Sequence, residues 1–455
     1  MPEFSSAGTF ALVTLGCKVN QYESQALREA WLARGLFETA SLKDADIVCI
    51  NSCAVTAKAV ADLRAVVRRA HRAGNKTNII ITGCAAQVLG ETLQGMPGVV
   101  LVVPQSAKSV LLRVGEEPPL LDSMASTWEK LLREASLRHV ERDTCYPPLI
   151  LSDYDRSRAV LKTQDGCSHR CTYCIVPFTR GASCSRDMRE SLAEAKRLLA
   201  AGFREITING INLAQYGRDL SPPCDFWDLV HFLDKELSPE WKGLARLRLS
   251  SLDPGQLNSK AIEVLGKSVL VAPHLHISLQ SASRDVLRRM GRTHYDPGVL
   301  AGFCNALTDV FPQYGLGADI LTGFPGELQE QADETELFCE SLPFTYAHVF
   351  PYSRRPGTAA AAWPDQVQPA AKKERAARLR AVFIRKKTAF LEQCLKLPRV
   401  HVVCESFGKN ATGVNEYYTD CRIVGSLPVD SRKELTLARP VGIDGNFLLV
   451  QSLHA

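Results

Sequence analysis

The chain has 455 residues, 45% of them hydrophobic and 23% charged, with a formal net charge of +5. That composition excludes a disordered or fibrous chain and leaves room for about two to four domains with real cores. No apolar run approaches the length a bilayer demands, so no membrane is expected among its partners.

The N-terminus has neither a basic start nor a signal-peptide core, and the expected compartment is the cytoplasm. There, 15 cysteines point to metal or redox chemistry rather than to a disulfide scaffold. From Thr9 to about Leu112, β-type runs alternate with helical ones. "FALVTLGC" reads as a strand, "NQYESQALREAWLARG" as a helix closing on Gly35, and "ADIVCINSC" as a strand. "AKAVADLRAVVRRAHRAG" is again a helix, and "TNIIITGCA" again a strand. This order predicts a small parallel sheet flanked by helices, a domain at 8–114. Cys17, Cys53 and Cys84 each fall just after a strand, where open α/β sheets bind their ligands.

Residues 115–151 read as a linker. From 152 to 388 the alternation resumes with six strand candidates: "RAVLKTQDGC", "EITINGINL", "ARLRLSS", "HLHISLQS", "GLGADILTGF" and "YAHVFPYS". They predict a partial (β/α)6 barrel whose site lies at the C-terminal ends of the strands. Residues 389–455 carry short β-type runs broken by Gly, Asn and Pro, which predict a small β-barrel. The fold class is therefore α/β throughout the first two parts, with an all-β third part.

Charge is unevenly spread. Arg64, Arg68 and Arg72 recur at i, i+4 along one helix, and "KKERAARLRAVFIRKK", Lys372 to Lys387, sets eight basic residues against one acidic. Either run suits a polyanion such as RNA; a solvated helix surface is the plain alternative.

"DGCSHRCTYCIVPF" places Cys167, Cys171 and Cys174 in CxxxCxxC spacing, with Tyr173 before the last thiol. A structural zinc site takes four protein ligands, whereas three leave one metal position open. Three thiolates on a four-iron cluster leave one iron without a protein ligand. Such an iron can chelate the amino and carboxylate groups of S-adenosylmethionine, whose cleavage yields a radical that no side chain provides. The motif resembles that of the radical S-adenosylmethionine superfamily; a zinc loop is the alternative.

"TLGCKVNQYES", "NSCAVT" and "TGCAAQ" resemble the N-terminal domain of the methylthiotransferases. The resemblance implies that Cys17, Cys53 and Cys84 hold an auxiliary 4Fe-4S cluster, making two clusters with that of Cys167, Cys171 and Cys174. "TRGASCSR", "RLRLSSLDP", "PHLHISLQSASRDVLRRMGR", "ADILTGFPGE" and "HVFPYSRRPGTAA" follow in the family's order, and the C-terminal part resembles a TRAM domain, an RNA-binding module. The implied reaction replaces an aromatic C–H by C–S–CH3, with one S-adenosylmethionine as methyl donor and a second as radical source. The implied partners are the anticodon stem-loop of tRNA and an electron donor such as flavodoxin or ferredoxin. "LGCKVNQYES" is similar to the branch acting on N6-threonylcarbamoyladenosine. The branches acting on N6-isopentenyladenosine (YGCQMN) and on an aspartate of a ribosomal protein (LGCPKN) are alternatives. A non-catalytic iron–sulfur RNA-binding protein would not need the open triad.

For S-adenosylmethionine the resemblance suggests Tyr173 against the adenine, and Asn209, Gly210 and Asn212 at the methionyl amine. The family usually has Thr or Ser where Asn209 stands. Gln280, Ser281, Gly323 and Glu327, at later strand ends, are further candidates to line the cofactor. Tyr417 and Tyr418 are candidates to stack on bases, one of them only, since neighbours on a strand face opposite ways. His274 and His276 alternate with apolar residues and read as barrel-lining or core histidines, not ligands. Cys49, Cys145, Cys184, Cys224, Cys304, Cys339, Cys394, Cys404 and Cys421 lack paired spacing and are given no metal role.

Overall fold

The structure is a computed structural model that describes residues 8–73, 78–113, 151, 154, 156–427 and 433–453. The expected linker therefore lies outside the described residues, apart from Leu151, and so does Cys145. By contacts the chain divides into two compact units. The first joins the N-terminal residues to 165–169 and 174–184; the second takes 153–164, 170–173 and everything from Ser185 onward.

In the first unit, β1 (Thr9–Thr14), β2 (Phe37–Glu38), β3 (Ile47–Ser52), β4 (Asn78–Gly83) and β5 (Val99–Pro104) form one sheet in the order β2-β1-β3-β4-β5. All its pairings are parallel. Helices α1 (Lys18–Leu32), α2 (Ala57–Ala73) and α3 (Cys84–Gln94) connect them. Strand alternation splits the apolar residues between two faces. Val48, Ile50, Ile79 and Ile81 pack with Leu63, Val66 and Val67 of α2. Ile47, Cys49 and Ile80 pack with Leu27 and Trp31 of α1. Cys49 is thus a core residue of a sheet covered on both sides.

In the second unit, parallel strands Ala159–Lys162, Glu205–Asn209, Arg246–Leu249, His274–Gln280, Gly315–Thr322 and Tyr346–Pro351 make the six-strand partial barrel. The third continues after Ser250 as Ser251–Leu252, which carries the chain from a three-stranded to a four-stranded sheet. Five further strands, from Val400–Cys404 to Phe447–Ser452, close into a barrel.

One expected boundary fails. Residues 388 and 389 lie inside a single helix, Pro369–Leu395. Its Leu379, Val382 and Phe383 are buried, while Phe390, Leu391 and Cys394 fill the core of the C-terminal β-barrel. A helix that supplies one end of its apolar stripe to the next core has no linker to cut.

Candidate functional site

The sheet order 2-1-3-4-5 reverses direction at β1, so β1 and β3 flank the point where an open α/β sheet leaves a crevice beyond its strand ends. Cys17 follows β1 as the N-cap of α1, Cys53 follows β3, and Cys84 follows β4 as the first residue of α3. The three thiols are near enough that charge on Cys17 or Cys84 acts on Cys53. Backbone glycines make the room. Gly16 has φ +103°, and a Cβ there would stand 2.4 Å from Cys53 Cβ and 3.0 Å from its Sγ. Cys17 is exposed, whereas Cys53 and Cys84 are buried, so the trio opens on the Cys17 side. Burial pushes the Cys53 thiol up to about 11, against a hydrogen bond from Val55 N–H. Surrounding protein raises Cys17 too, and the Arg180 guanidinium opposes it.

Behind the thiols lies a charged network within the same unit. Glu23, on the buried face of α1, accepts from Lys108 Nζ at 2.5 Å and from Arg180 Nη1 at 2.9 Å. Arg180 also donates to Asp165 Oδ1 at 2.9 Å and to Asn20 Oδ1 at 2.8 Å. Lys108 reaches Asn51 Oδ1 at 2.9 Å, and Asn51 Nδ2 donates to Asn20 O at 2.9 Å. Asn20, Glu23, Asn51, Lys108 and Arg180 were not singled out in the sequence. The signal was there: Asn20 and Glu23 put polar groups on the apolar face of α1, which makes sense only with buried partners.

Residues 9–104 match the model of a family described as Uncharacterized protein family UPF0004, and residues 161–339 match that of the Radical SAM superfamily. The chain is 36% identical over 375 residues to the Threonylcarbamoyladenosine tRNA methylthiotransferase MtaB of Bacillus subtilis, covering 82% of this chain and 80% of that one. The chain belongs to the methylthiotransferase family of radical S-adenosylmethionine enzymes. A tRNA-2-methylthio-N(6)-dimethylallyladenosine synthase of Lawsonia intracellularis is 32% identical, with 84% of each chain covered. Among solved structures, the radical S-adenosylmethionine methyltransferase TsrM of Kitasatospora setae shares the fold, with a TM-score of 0.56 at 14% identity over 78% of this chain and 75% of that one.

Radical S-adenosylmethionine chemistry uses that cofactor and an iron–sulfur cluster. In this methylthiotransferase the loop bearing CxxxCxxC follows the first barrel strand. Gly166, at φ +65°, presses on the backbone: a Cβ there would lie 1.9 Å from Ala182 O. Cys167 N–H donates to Gly181 O at 2.9 Å. Cys171 Sγ lies 4.0 Å from Arg292 Nη1, and Arg292 is held by Asp253 Oδ2 at 2.7 Å. Thr172 is fastened by its N–H to Met290 O at 3.0 Å and by its hydroxyl to Arg289 O at 2.8 Å. The Tyr173 ring packs edge-on to Phe324 at 6.2 Å.

Asn209 ends its strand with a buried amide nitrogen that has no hydrogen-bond partner among the described residues. A buried amide donor without a partner can meet an acceptor on a bound ligand, while the Oδ1 of the same amide can accept. Gly210 is pinned on Gln164, whose Oε1 accepts from Ile211 N at 2.9 Å and Asn212 N at 2.8 Å. Gln164 therefore shapes this turn, and nothing in its sequence context announced it. Gln280 sits at its strand end with φ +62°, half-buried.

Two other cofactor candidates have different work. Ser281 is fully buried, with its hydroxyl against Thr335 Oγ1 at 3.2 Å. Glu327 is buried too: it accepts from Gly323 N at 2.6 Å and Arg375 Nη1 at 2.8 Å, tying its loop to the long helix. Burial raises its pKa despite these donors. Gly323, at φ +71°, lies against Lys372, which a Cβ would meet at 2.4 Å.

The nucleic-acid candidates divide. Arg64, Arg68 and Arg72 are exposed on α2, opposite its buried Leu63, Val66, Val67 and Ala70. Most of the basic run of the long helix instead pairs within the chain. Arg375 pairs with Glu327, Arg378 with Asp333 and Glu336, Arg385 with Glu340, and Lys387 with Asp420. Lys372, Arg380 and Lys386 donate to backbone carbonyls. Tyr417 and Tyr418 lie in a turn between strands, not on a strand. Tyr417 packs edge-on to Phe390 at 6.3 Å, and Tyr418 stacks on His274 at 4.6 Å with Arg248 over its ring. Both rings are used in holding the second unit together, which corrects their assignment to stacking on bases.

Proposed function

We propose that this methylthiotransferase acts on tRNA, converting N6-threonylcarbamoyladenosine beside the anticodon to its 2-methylthio form. When bound, two 4Fe-4S clusters and S-adenosylmethionine supply the electron, the radical and the S–CH3 group that replace the C–H bond at carbon 2. Cys17, Cys53 and Cys84 hold one cluster, and Cys167, Cys171 and Cys174 the other. The thiol donor set is the soft one that iron–sulfur clusters take. Cys17 and Cys84 stand at helix N-termini, and Arg180 lies beside them, so positive potential faces an anionic cluster. Arg292 does the same for Cys171. Gly16 leaves space for a cage against the backbone. Asn209 offers its amide to the methionyl carboxylate, and the exposed stripe of Arg64, Arg68 and Arg72 meets tRNA phosphates. The reductant is a small protein such as flavodoxin or ferredoxin, and the reaction is cytoplasmic.

The observation that carries the substrate is the run of relatives named for threonylcarbamoyladenosine, at 30–36% identity over 81–95% of this chain. Two relatives named for dimethylallyladenosine, at 31–32%, make that base the second reading. Mass spectrometry of tRNA nucleosides from a strain deleted for this gene tests it. Loss of the methylthio derivative of threonylcarbamoyladenosine, with the dimethylallyl product intact, is the expected result. Loss of the dimethylallyl derivative instead transfers the substrate to the second reading. For the clusters, anaerobically reconstituted protein should carry about eight irons per chain, and Cys53→Ala about four.

A further inference from the structure

Three neighbouring strands of the partial barrel, His274–Gln280, Gly315–Thr322 and Tyr346–Pro351, present two kinds of face. Leu275, Ile277, Leu316, Ala318 and Ile320 form the apolar one, fully buried. Alternation puts His276, Asp319 and His348 on the other, at adjacent positions of the parallel register: His276 pairs with Gly317, and Asp319 with His348.

We propose that His276, Asp319 and His348 form a binding site for a divalent transition-metal cation, separate from the cysteine sites. His276 Nε2 lies 3.0 Å and His348 Nδ1 3.2 Å from the same atom, Asp319 Oδ1. One ligand atom from each residue falls within 4.8 Å of the others. Donors about 3 Å apart are what bonds of about 2.1 Å to a shared metal give at right angles. Two imidazoles and one carboxylate are a set that binds Zn, Mn, Fe or Co with positions left over. His276 is buried and Asp319 half-buried, while His348 is exposed, so the group is anchored at one side and open at the other.

The surroundings are those of a built site. His276 presents Nε2 to Asp319 because its other nitrogen, Nδ1, is engaged by the Tyr346 hydroxyl at 2.9 Å, and that hydroxyl also meets His274 Nε2 at 2.8 Å. A ligand imidazole whose second nitrogen is held in this way has its ring orientation fixed. Gly317 makes the arrangement fit: a Cβ there would lie 2.4 Å from His276 Nδ1 and 2.3 Å from Tyr346 Cζ. Burial works against a charged Asp319, but hydrogen bonds from His276 and His348 outweigh it and keep the carboxyl well below its ordinary range. This assignment reverses the reading of His276 as a residue without ligand function.

Manganese(II) is the probe, since thiolates are poor ligands for it. Cluster-loaded protein, kept anaerobic, is titrated with MnCl2 while the paramagnetic resonance of the aquo ion reports the unbound metal. One Mn(II) per chain is expected to bind. His348→Ala, at an exposed position that does not burden folding, should weaken binding at least about tenfold, and Asp319→Asn likewise. His231→Ala, at an exposed histidine on the helix Phe226–Trp241, should leave it unchanged. Iron per chain must remain that of the parent in His348→Ala, which separates this site from the cysteine sites. Absence of a stoichiometric Mn(II), or affinity equal in the parent, His348→Ala and Asp319→Asn, overturns the proposal.

Discussion

Glu23 in the first unit and Glu205 in the second are both buried carboxylates held by cations, but their surroundings close differently. Glu205 takes Arg246 at 2.5 Å, Arg248 at 2.7 Å and Arg158 at 3.6 Å. Further donors of Arg246 end on His401 O and Val414 O, those of Arg248 on Asn415 O and Glu416 O, and those of Arg158 on the Glu405 carboxylate. That network joins the C-terminal barrel to the strands of the (β/α) part. Around Glu23 two cations meet two carboxylates, Glu23 and Asp165, and the cations also act on sulfur: Arg180 on Cys17 and Cys84, and Lys108 on Cys84. The same chemistry fastens two parts of one unit in one place and lies beside three thiols in the other.

This contrast can be broken by substitution. Glu205→Ala leaves guanidiniums buried without their shared anion and should cost about 3–5 kcal/mol. A lowered urea midpoint, with early hydrogen exchange in strands Arg246–Leu249 and Thr412–Val414, is the expected record. A cost under about 1 kcal/mol would mean the network is not the fastening described. Acid should reproduce the loss. Arg246 and Arg248 hold the Glu205 carboxyl well below 4.5 against its burial, so its contribution is full above that value and disappears as pH falls through the lower, folded one. The stability gap between the parent and Glu205→Gln should therefore be constant at neutral pH and narrow steadily in acid.

Glu23→Ala should cost less, about 1–3 kcal/mol, because Arg180 keeps Asp165 and Asn20, and Lys108 keeps Asn51. Equal losses from the two glutamates would erase the distinction. Arg180→Gln sharpens it from the other side. Iron bound by the N-terminal trio should become harder to reduce, seen as a more negative potential, while the potential at CxxxCxxC stays put. The smallest effect is expected at Tyr418. Tyr418→Leu removes stacking worth about 1 kcal/mol and should leave tRNA affinity untouched, whereas Arg68→Glu should lower that affinity and flatten its salt dependence.

Much of the fold was legible. The β-α-β-α-β run at 8–114 and the six barrel strands stand where period and turn residues put them, because alternation and amphipathic spacing are local properties of the chain. CxxxCxxC was readable for the same reason: its three thiols share one loop. Cys17, Cys53 and Cys84 were reached through strand ends, since parallel strands carry their C-terminal neighbours to one edge. The failures share a cause as well. From its strand-end position Glu327 is a candidate to line the cofactor, yet an arginine 48 residues later holds its carboxylate. The Lys372 to Lys387 run looked like a polyanion face, yet carboxylates and carbonyls from distant segments take up most of its charge.

The sequence by itself determined the elements, their order and the two sets of three thiols, all of which depend on spacing along the chain. Only the tertiary structure decided which charges were spent and which were left to act, and that three strands would bring His276, Asp319 and His348 together. Pairing between distant residues is selected by how elements pack and what that packing shields from water, and neither is written in the spacing of a single segment.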